Sequence, residues 1–435
     1  MIAPLPRLLL AVTVIVLPFA GLAVALPSWT IPGALVVAVF FLVVALDAWC
    51  GRRSRHGIAV QLPELVRLQK SRPAALELLV RNPSRQPRLV RLGLPFPREI
   101  ESTAQEMTVA LPASAEFARF TWPCTLLARG RYWLHACYLE TPSPLGFWAV
   151  RTQHPTASEL RVYPDLFDER KRVAALFLHR GHLGIHARRQ SGRGREFEKL
   201  REYIPGDGYD EIHWKATARR GHPVTKVFQI ERTQEIYVLI DSSRLSARAQ
   251  VLERAITASL MLAVAAEQQG DLFGLVTFDS TVRKFIRAKS GQAHFDACRD
   301  SLYTLESSPV SPDFEEVCTF IRTRLRKRAL LVFLTALDDP ILAESFTKSM
   351  DLIARQHLIL VNMARPVGVQ PVFTAPTSSL GALYENLGGH LQWRQLHELE
   401  VVLRRHNVAF HLLESDHLSA QLVTQYLNIK SRQLL

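Results

Sequence analysis

Glu235-Ile236-Tyr237-Val238-Leu239-Ile240-Asp241 runs directly into Ser242-Ser243-Arg244-Leu245. Apolar residues follow one another without polar alternation, the pattern of a strand buried on both faces. Strands of that kind belong to mostly parallel sheets covered by helices. Downstream, Leu272–Phe278, Val282–Ile286, Ala329–Leu334, His357–Asn362 and Val408–Leu413 read as further strands. Helical periods alternate with them at Ala247–Gln268, Ala293–Leu305, Phe314–Arg326, Leu342–Ala354, Leu383–Arg405 and Leu418–Lys430. The alternation predicts a doubly wound, Rossmann-like α/β domain over residues 233–435.

Upstream lies the densest local pattern, Gly192–Arg232, in a connector of residues 166–232. Phe197, Leu200 and Ile204 recur at helical spacing, and Pro205-Gly206 ends that predicted helix. Asp207 is placed to cap a second one, with Asp210 and Glu211 in its first turn. Tyr209, Ile212 and Ala216 share a face of it, and Arg219, Arg220, Gly221 and Pro223 form its stop. Val224–Ile230 follows as a strand. Gly192-Arg193-Gly194 lacks a preceding strand and fits neither a Walker loop nor a dinucleotide fingerprint. Glu196, Arg201, Asp207, His213, Lys215 and Arg219 form a candidate ion and hydrogen-bond network. His213 is the one acid–base candidate, but no Ser or Cys stands near it in a nucleophile motif.

Residues 57–165 are strand-like throughout. Ala75–Val80, Arg88–Leu94, Met107–Leu111, Phe117–Trp122, Tyr132–Leu139 and Leu160–Val162 are separated by turn signals such as Asn82-Pro83-Ser84 and Pro142-Ser143-Pro144. Short strands at this spacing predict a β-sandwich of immunoglobulin-like size.

The first 50 residues differ in kind. Thirty-eight are hydrophobic, and only Arg7 and Asp47 are charged. Two apolar runs, residues 8–26 and 31–49, each rise about 28 Å as helices, close to a bilayer core of about 30 Å. Pro27-Ser28-Trp29-Thr30 joins them as a tight hairpin, and Arg52, Arg53 and Arg55 follow. The positive-inside rule then sets both ends in the cytoplasm. Ala23-Val24-Ala25 resembles a signal-peptidase site, but the first run exceeds the usual apolar stretch of a signal peptide. The expectation is a two-pass anchor in the cytoplasmic membrane, in contact with the lipid bilayer.

The formal charge of +13 does not spread evenly: residues 51–100 hold ten Arg and Lys70 against Glu64, Glu77 and Glu99, a net of +8. This is a basic collar beside the membrane, where attraction to anionic lipid and an ordinary positive-inside bias weigh about equally. With acids interleaved elsewhere and no stacking-aromatic motif, nucleic-acid binding ranks last among the functions considered, and no nucleic-acid partner is expected. Cys50, Cys124, Cys137, Cys298 and Cys318 are widely spaced and form no zinc pattern, as expected of reduced thiols.

Glu196-Phe197, Leu200-Arg201-Glu202-Tyr203, Pro205-Gly206-Asp207, Ile212-His213-Trp214-Lys215 and Ala218-Arg219 resemble, in order and spacing, the signature of the domain-of-unknown-function 58 family. Arg129-Gly130-Arg131-Tyr132 and Ser143-Pro144-Leu145-Gly146 fit it too, and Asp210 departs from it where an arginine is expected. The resemblance implies two membrane helices, a β domain, and a C-terminal von Willebrand factor A-like domain. It also implies a MoxR-type AAA+ ATPase as partner. The signature residues Glu196, Arg201, Tyr203, Gly206, Asp207, His213, Trp214, Lys215 and Arg219 are therefore expected to face a partner or to brace the fold.

Von Willebrand A-like domains often hold a divalent cation on an Asp-x-Ser-x-Ser loop, a later Thr and a later Asp. Here Asp241 and Ser243 match, Leu245 replaces the third ligand, the Thr position is Ser311 or nothing, and Ala336 occupies the Asp position, with Asp338 and Asp339 out of register as substitutes. One carboxylate with hydroxyls is a thin shell for Mg²⁺. The expectation is a persisting fold with a degenerate metal site, Asp241 capping the next helix, and no resident cofactor. The functional expectation is a non-enzymatic, membrane-anchored scaffold acting in assembly or maturation of other complexes. The alternatives are a hydrolase using His213 with Asp207 or Glu196, and metal-dependent, adhesion-type ligand binding.

Overall fold

Every residue of Ile236–Asp241 is buried, and this run is the third strand of a six-stranded sheet. The computed structural model describes residues 1–54, 58–83, 88–113, 115–179, 191–205, 208–229, 234–248, 250–372 and 379–432. It divides into two units, Met1–Asp165 and Leu166–Leu435.

The first unit opens with a short strand, β1 (Ile2–Pro4), then helix α1 (Pro6–Ala25), a 3₁₀ turn at Pro27–Trp29, and helix α2 (Thr30–Ser54). Nine strands follow: β2 (Ala59–Gln61), β3 (Leu65–Gln69), β4 (Pro73–Arg81), β5 (Arg88–Gly93) and β6 (Ile100–Glu101). β7 (Glu106–Leu111), β8 (Phe117–Leu126), β9 (Gly130–Pro142) and β10 (Trp148–Tyr163) complete them. One sheet has the order β1-β10-β9-β5-β7, with β3 parallel to β10, and the other β2-β4-β8-β6. Leu76, Leu78, Trp122 and Leu126 of the second sheet share one core with Val90, Leu92, Leu134, Leu139 and Leu160 of the first. Trp122 is fully buried, and its indole N–H reaches the Ser102 hydroxyl (3.0 Å) and the Ala104 carbonyl (3.1 Å). That satisfies the one polar group a buried Trp brings.

The second unit begins with α3 (Phe167–His179), where the sequence suggested only a polar connector. Its first turn is charged, but Val173 is buried and joins Leu166 and Phe177 on the domain core. Strand β11 (Ser191–Glu202), helix α4 (Trp214–Arg220) and strand β12 (Val224–Gln229) come next. The helix expected over Phe197–Ile204 is thus a strand to Glu202, paired antiparallel with β12. A register shift between Phe197 and Lys199 breaks the two-residue alternation by which a strand is recognised, so apolar spacing mimicked a helix.

The α/β part comprises β13 (Glu235–Asp241), α5 (Val251–Gln268), β14 (Leu272–Phe278), β15 (Val282–Lys289), α6 (Gln292–Leu302) and α7 (Phe314–Arg324). It ends with β16 (Leu330–Leu334), α8 (Pro340–Met350), β17 (Leu358–Ala364), α9 (Leu380–Arg405), β18 (Val408–Leu413) and α10 (Leu418–Ser431). The sheet order is β15-β14-β13-β16-β17-β18, all parallel except the edge strand β15. α3, α5, α6 and α10 cover one face, and α7, α8 and α9 the other. On the second face the buried rings of Phe314, Phe333 and Phe346 meet edge to face. The order reverses between β13 and β16, and a crevice at such a reversal is where open α/β sheets receive ligands.

Candidate functional site

Two places merit scrutiny: the excursion between β11 and β12, and the sheet edge where β13 and β16 part. In the first, Glu202 pairs with Val224 and Arg201 with Thr225, and the Tyr203 N–H donates to the Pro223 carbonyl (3.0 Å). The chain then leaves the ladder and returns along the other side of β12. Ile212 bridges Thr225, and the His213 N–H donates to the Val224 carbonyl (2.8 Å). Ile212, Val224 and Thr225 are buried there.

His213 then starts α4. Its ring Nδ1 lies 3.1 Å from the Ala216 N–H and accepts from it, doing the work of an N-cap side chain. Gly221, at φ +74°, ends the helix in the left-handed region, and Arg219 and Arg220 lie in the last turn, where positive charge suits the helix dipole. The Thr217 hydroxyl accepts from the Val224 N–H (3.1 Å), tying helix to strand. The sequence anticipated this stop, but it chose Asp207 as the cap. Asp207 and Gly206 lie outside the described residues, as does the side chain of Glu196.

Arg201 and Tyr203 are half-buried, and Lys215 and Arg219 are exposed. Trp214 is 67% exposed and Tyr209 78% exposed, and Ile204 is exposed as well. A Nδ1 lone pair spent on a backbone N–H cannot carry the proton that an orienting carboxylate would accept. His213 is therefore not arranged as the base of a triad.

At the strand reversal, Asp241 is 2% exposed. Its Oδ1 accepts from the Ser243 N–H (2.8 Å), and its Oδ2 accepts from the Thr335 hydroxyl (2.6 Å). Burial pushes the Asp241 carboxyl above its usual range, opposed by those hydrogen bonds and helped by the charge of Asp279. Asp279 follows β14 and is also buried. Burial would raise it too, but Arg283 (2.6 Å), the Ser308 hydroxyl (2.8 Å) and the Thr281 N–H (3.1 Å) outweigh that and hold it below its usual range.

The Ser243 hydroxyl caps a short 3₁₀ turn by accepting from the Leu245 N–H (3.3 Å). Ser311, expected in the Thr position, is exposed and accepts from Arg244 Nε (3.0 Å). Arg244 also faces Asp339 (3.7 Å), and Arg248 pairs with Asp338 (3.1 Å). Asp241 thus has both oxygens committed to protein donors, and guanidinium groups stand at the rim. Among the described residues no cluster of three His, Cys, Asp or Glu could hold a metal. Mg²⁺ takes several oxygen ligands at short range, and at this edge each Asp241 oxygen already accepts from a protein donor. Sequence reasoning missed Thr335 because it looked for a carboxylate one residue later, at Ala336. The strand-terminal Thr in Leu334-Thr335, level with Asp241, was the available signal.

Residues 199–369 match the family model described as "Protein of unknown function DUF58". Uncharacterized proteins of Mycobacterium bovis and Mycobacterium tuberculosis are 24% identical over 189 residues, which is 42% of this chain and 57% of theirs. The chain therefore spans little more than half the length of the curated relatives it matches. Among solved structures, an aerotolerance-related membrane protein from Bacteroides fragilis is similar at 11% identity with a TM-score of 0.30, over 45% of this chain and 98% of that one. BatB from Bacteroides thetaiotaomicron is similar at 11% identity with a TM-score of 0.29, over 46% and 99%. The similarity to that family, described as one of unknown function, thus covers residues 199–369 of the chain.

Proposed function

We propose that the chain is a membrane-anchored, non-enzymatic interaction protein that docks its partner on the excursion between β11 and β12. The observation that carries this reading is the exposure of Tyr209 and Trp214 beside Lys215 and Arg219, on a loop and helix tied down by the His213 cap and the Ile212 bridge. Aromatic and arginine side chains held out on a braced backbone have the composition of interface hot spots. Two-thirds of a Trp surface amounts to roughly 100–170 Å², so covering Trp214 contributes about 2.5–4 kcal/mol. A His213 engaged as a cap and an Asp241 sealed by Thr335 both speak against the hydrolase and metal-dependent alternatives.

The helix Thr30–Arg53 is long and apolar enough to cross a bilayer, whereas the apolar part of α1, Pro6–Leu22, is shorter. Strand β1, before the helix pair, and β3, β5, β7, β9 and β10, after it, belong to one sheet. That supports an out-and-back, two-pass anchor with both ends on one side, and Arg52 and Arg53 make that side cytoplasmic. On this reading the immunoglobulin-like sandwich is a spacer, and the docking surface stands just ahead of a von Willebrand A-like domain. The family resemblance supplies the expected partner, a MoxR-type AAA+ ATPase in the assembly or maturation of other complexes. Affinity purification of the full chain from detergent extract tests this. Wild type should retain an ATPase, and Tyr209→Ala with Trp214→Ala should release it. Recovery of no ATPase sinks that partner, and undiminished retention by the double variant moves the docking surface elsewhere.

A further inference from the structure

The turn between β9 and β10 has an unusual economy of hydrogen bonds. Asp47, the one acidic residue of α2, is 3% exposed. Its Oδ1 accepts from the Leu145 N–H (2.9 Å), and its Oδ2 accepts from the Phe147 N–H (3.4 Å) and the Ser143 hydroxyl (2.5 Å). The Ser143 N–H donates to the Trp148 carbonyl, and the Gly146 N–H to the Ser143 carbonyl. The Trp148 N–H donates to the Ser143 hydroxyl oxygen (2.9 Å), and residue 144 is a proline. Every backbone N–H from Ser143 to Trp148 therefore has a protein acceptor. The Trp148 indole N–H is also satisfied, by the Val44 carbonyl of α2 (3.0 Å). Turns at a wet surface leave such groups to water, and hydrocarbon does not permit it.

The depth of this turn follows from helix lengths. From Thr30 to Asp47 is 17 residue steps, a rise of roughly 26 Å. A bilayer core is about 30 Å thick, so a spanning α2 brings Asp47 to the hydrocarbon edge. Phe147 packs on Phe40 (ring centroids 6.4 Å apart), seven residues or roughly 10 Å further along the helix. Phe147 and Trp148 lie against a cluster of Leu8, Phe40 and Val44. The outward surface of the turn is Pro144 and Leu145, the latter 53% exposed. Gly146 sits at φ +76°, in the left-handed region that favours glycine, with the flexible end of the exposed Arg7 side chain beside it.

We propose that the Ser143–Trp148 turn is a membrane-inserted element, sunk into the lipid at the hydrocarbon edge and held against α2 by Asp47. The inference rests on the membrane-anchored reading above. Its occupant is the acyl-chain boundary of the bilayer, because the outward residues are apolar, continue the apolar surface of the helices, and leave no N–H for a polar partner. Asp47 is a positioning residue: it seals the turn so that it can leave water.

The test uses the full chain in proteoliposomes with an environment-sensitive fluorophore on Leu145→Cys. The exposed native thiol is removed by Cys50→Ser, the other four cysteines being buried. Matched probes on Val39→Cys, exposed in the middle of α2, and Glu101→Cys, exposed on β6, serve as references. Spin-labelled lipids with shallow labels should quench position 145, deep labels should quench position 39, and neither should quench position 101. Asp47→Ala should cut the quenching at 145 by about twofold or more and leave position 39 unchanged, since an unsealed turn returns to water. Quenching at 39 without quenching at 145 overturns the insertion alone, including the case of a blue-shifted probe at 145 covered by protein. No quenching at 39 overturns the anchor itself, and the insertion with it.

Discussion

The hydrogen bond from Thr335 to Asp241 joins the ends of β16 and β13, and its removal has a calculable signature. Thr335→Val keeps the shape and deletes the donor, leaving one oxygen of a carboxylate that is 2% exposed without its partner. A hydrogen bond to a charged group is worth about 1.5–3 kcal/mol, and an orphaned buried group costs at least as much again as a neutral one. Asp241→Asn in the Thr335→Val background removes the charge that made the loss expensive. The two single penalties should therefore exceed the double by about 1.5–3 kcal/mol. pH provides a second axis. Burial raises the Asp241 carboxyl in the folded chain above its unfolded value. A raised carboxyl favours folding below the unfolded pKa, and that contribution is lost as pH rises through the folded one. Asp241→Asn does not titrate, so its stability relative to wild type should climb with pH, whereas Thr335→Val should fall further behind. Hydrogen exchange of the full chain in detergent, read on peptides covering 235–241 and 330–334 and corrected for the intrinsic rate at each pH, measures the local opening free energy. Additive penalties, within about 0.5 kcal/mol, or curves that stay parallel across pH, refute the reasoning.

Isothermal titration with Mg²⁺ should show no submillimolar site, and binding that vanishes in Asp241→Ala would reverse the view that this donor set is closed. A thiol reagent at mild alkaline pH should label Cys50 in the native chain and all five cysteines after denaturation. Burial pushes Cys298 and Cys318 up to about 12 and Cys137 to about 11, beyond the range in which a thiolate forms. Gly274→Ala should destabilise the α/β unit by about 1–3 kcal/mol or more, since its Cβ would stand 2.4 Å from the buried Tyr237 ring. An unchanged melting temperature in that variant would show that the ring can move.

The strands of the α/β sheet were legible because they are buried on both faces, and β18 has the bounds its apolar run suggested, Val408–Leu413. Where burial is one-sided or a partner is distant, local pattern failed. β3 pairs in parallel with residues near Leu160, about a hundred positions away, and nothing in Leu65–Gln69 announces it. β10 runs for 16 residues, but only Leu160–Val162 was readable, because an irregularity at Pro155–Ser158 interrupts the alternation. The signature around His213 was visible as a motif, although the roles within it were not. That the ring caps α4 depends on a backbone path back along β12, which no spacing encodes. Asp47 was seen only as a stray charge in an apolar run. Its meaning lies in a turn about a hundred residues later.

Strand β1 also sets a schedule. Ile2 pairs with Val150, so Ile2, once made, waits for a partner 148 positions downstream. At about 5–20 residues per second that is roughly 7–30 s, during which the helix pair is already made and β1 has nothing to join. The Met1 ammonium lies 3.0 Å from the Arg151 carbonyl once the strand has docked. Anything bulky carried on Ile2–Pro4 therefore crowds the closing step of the sheet.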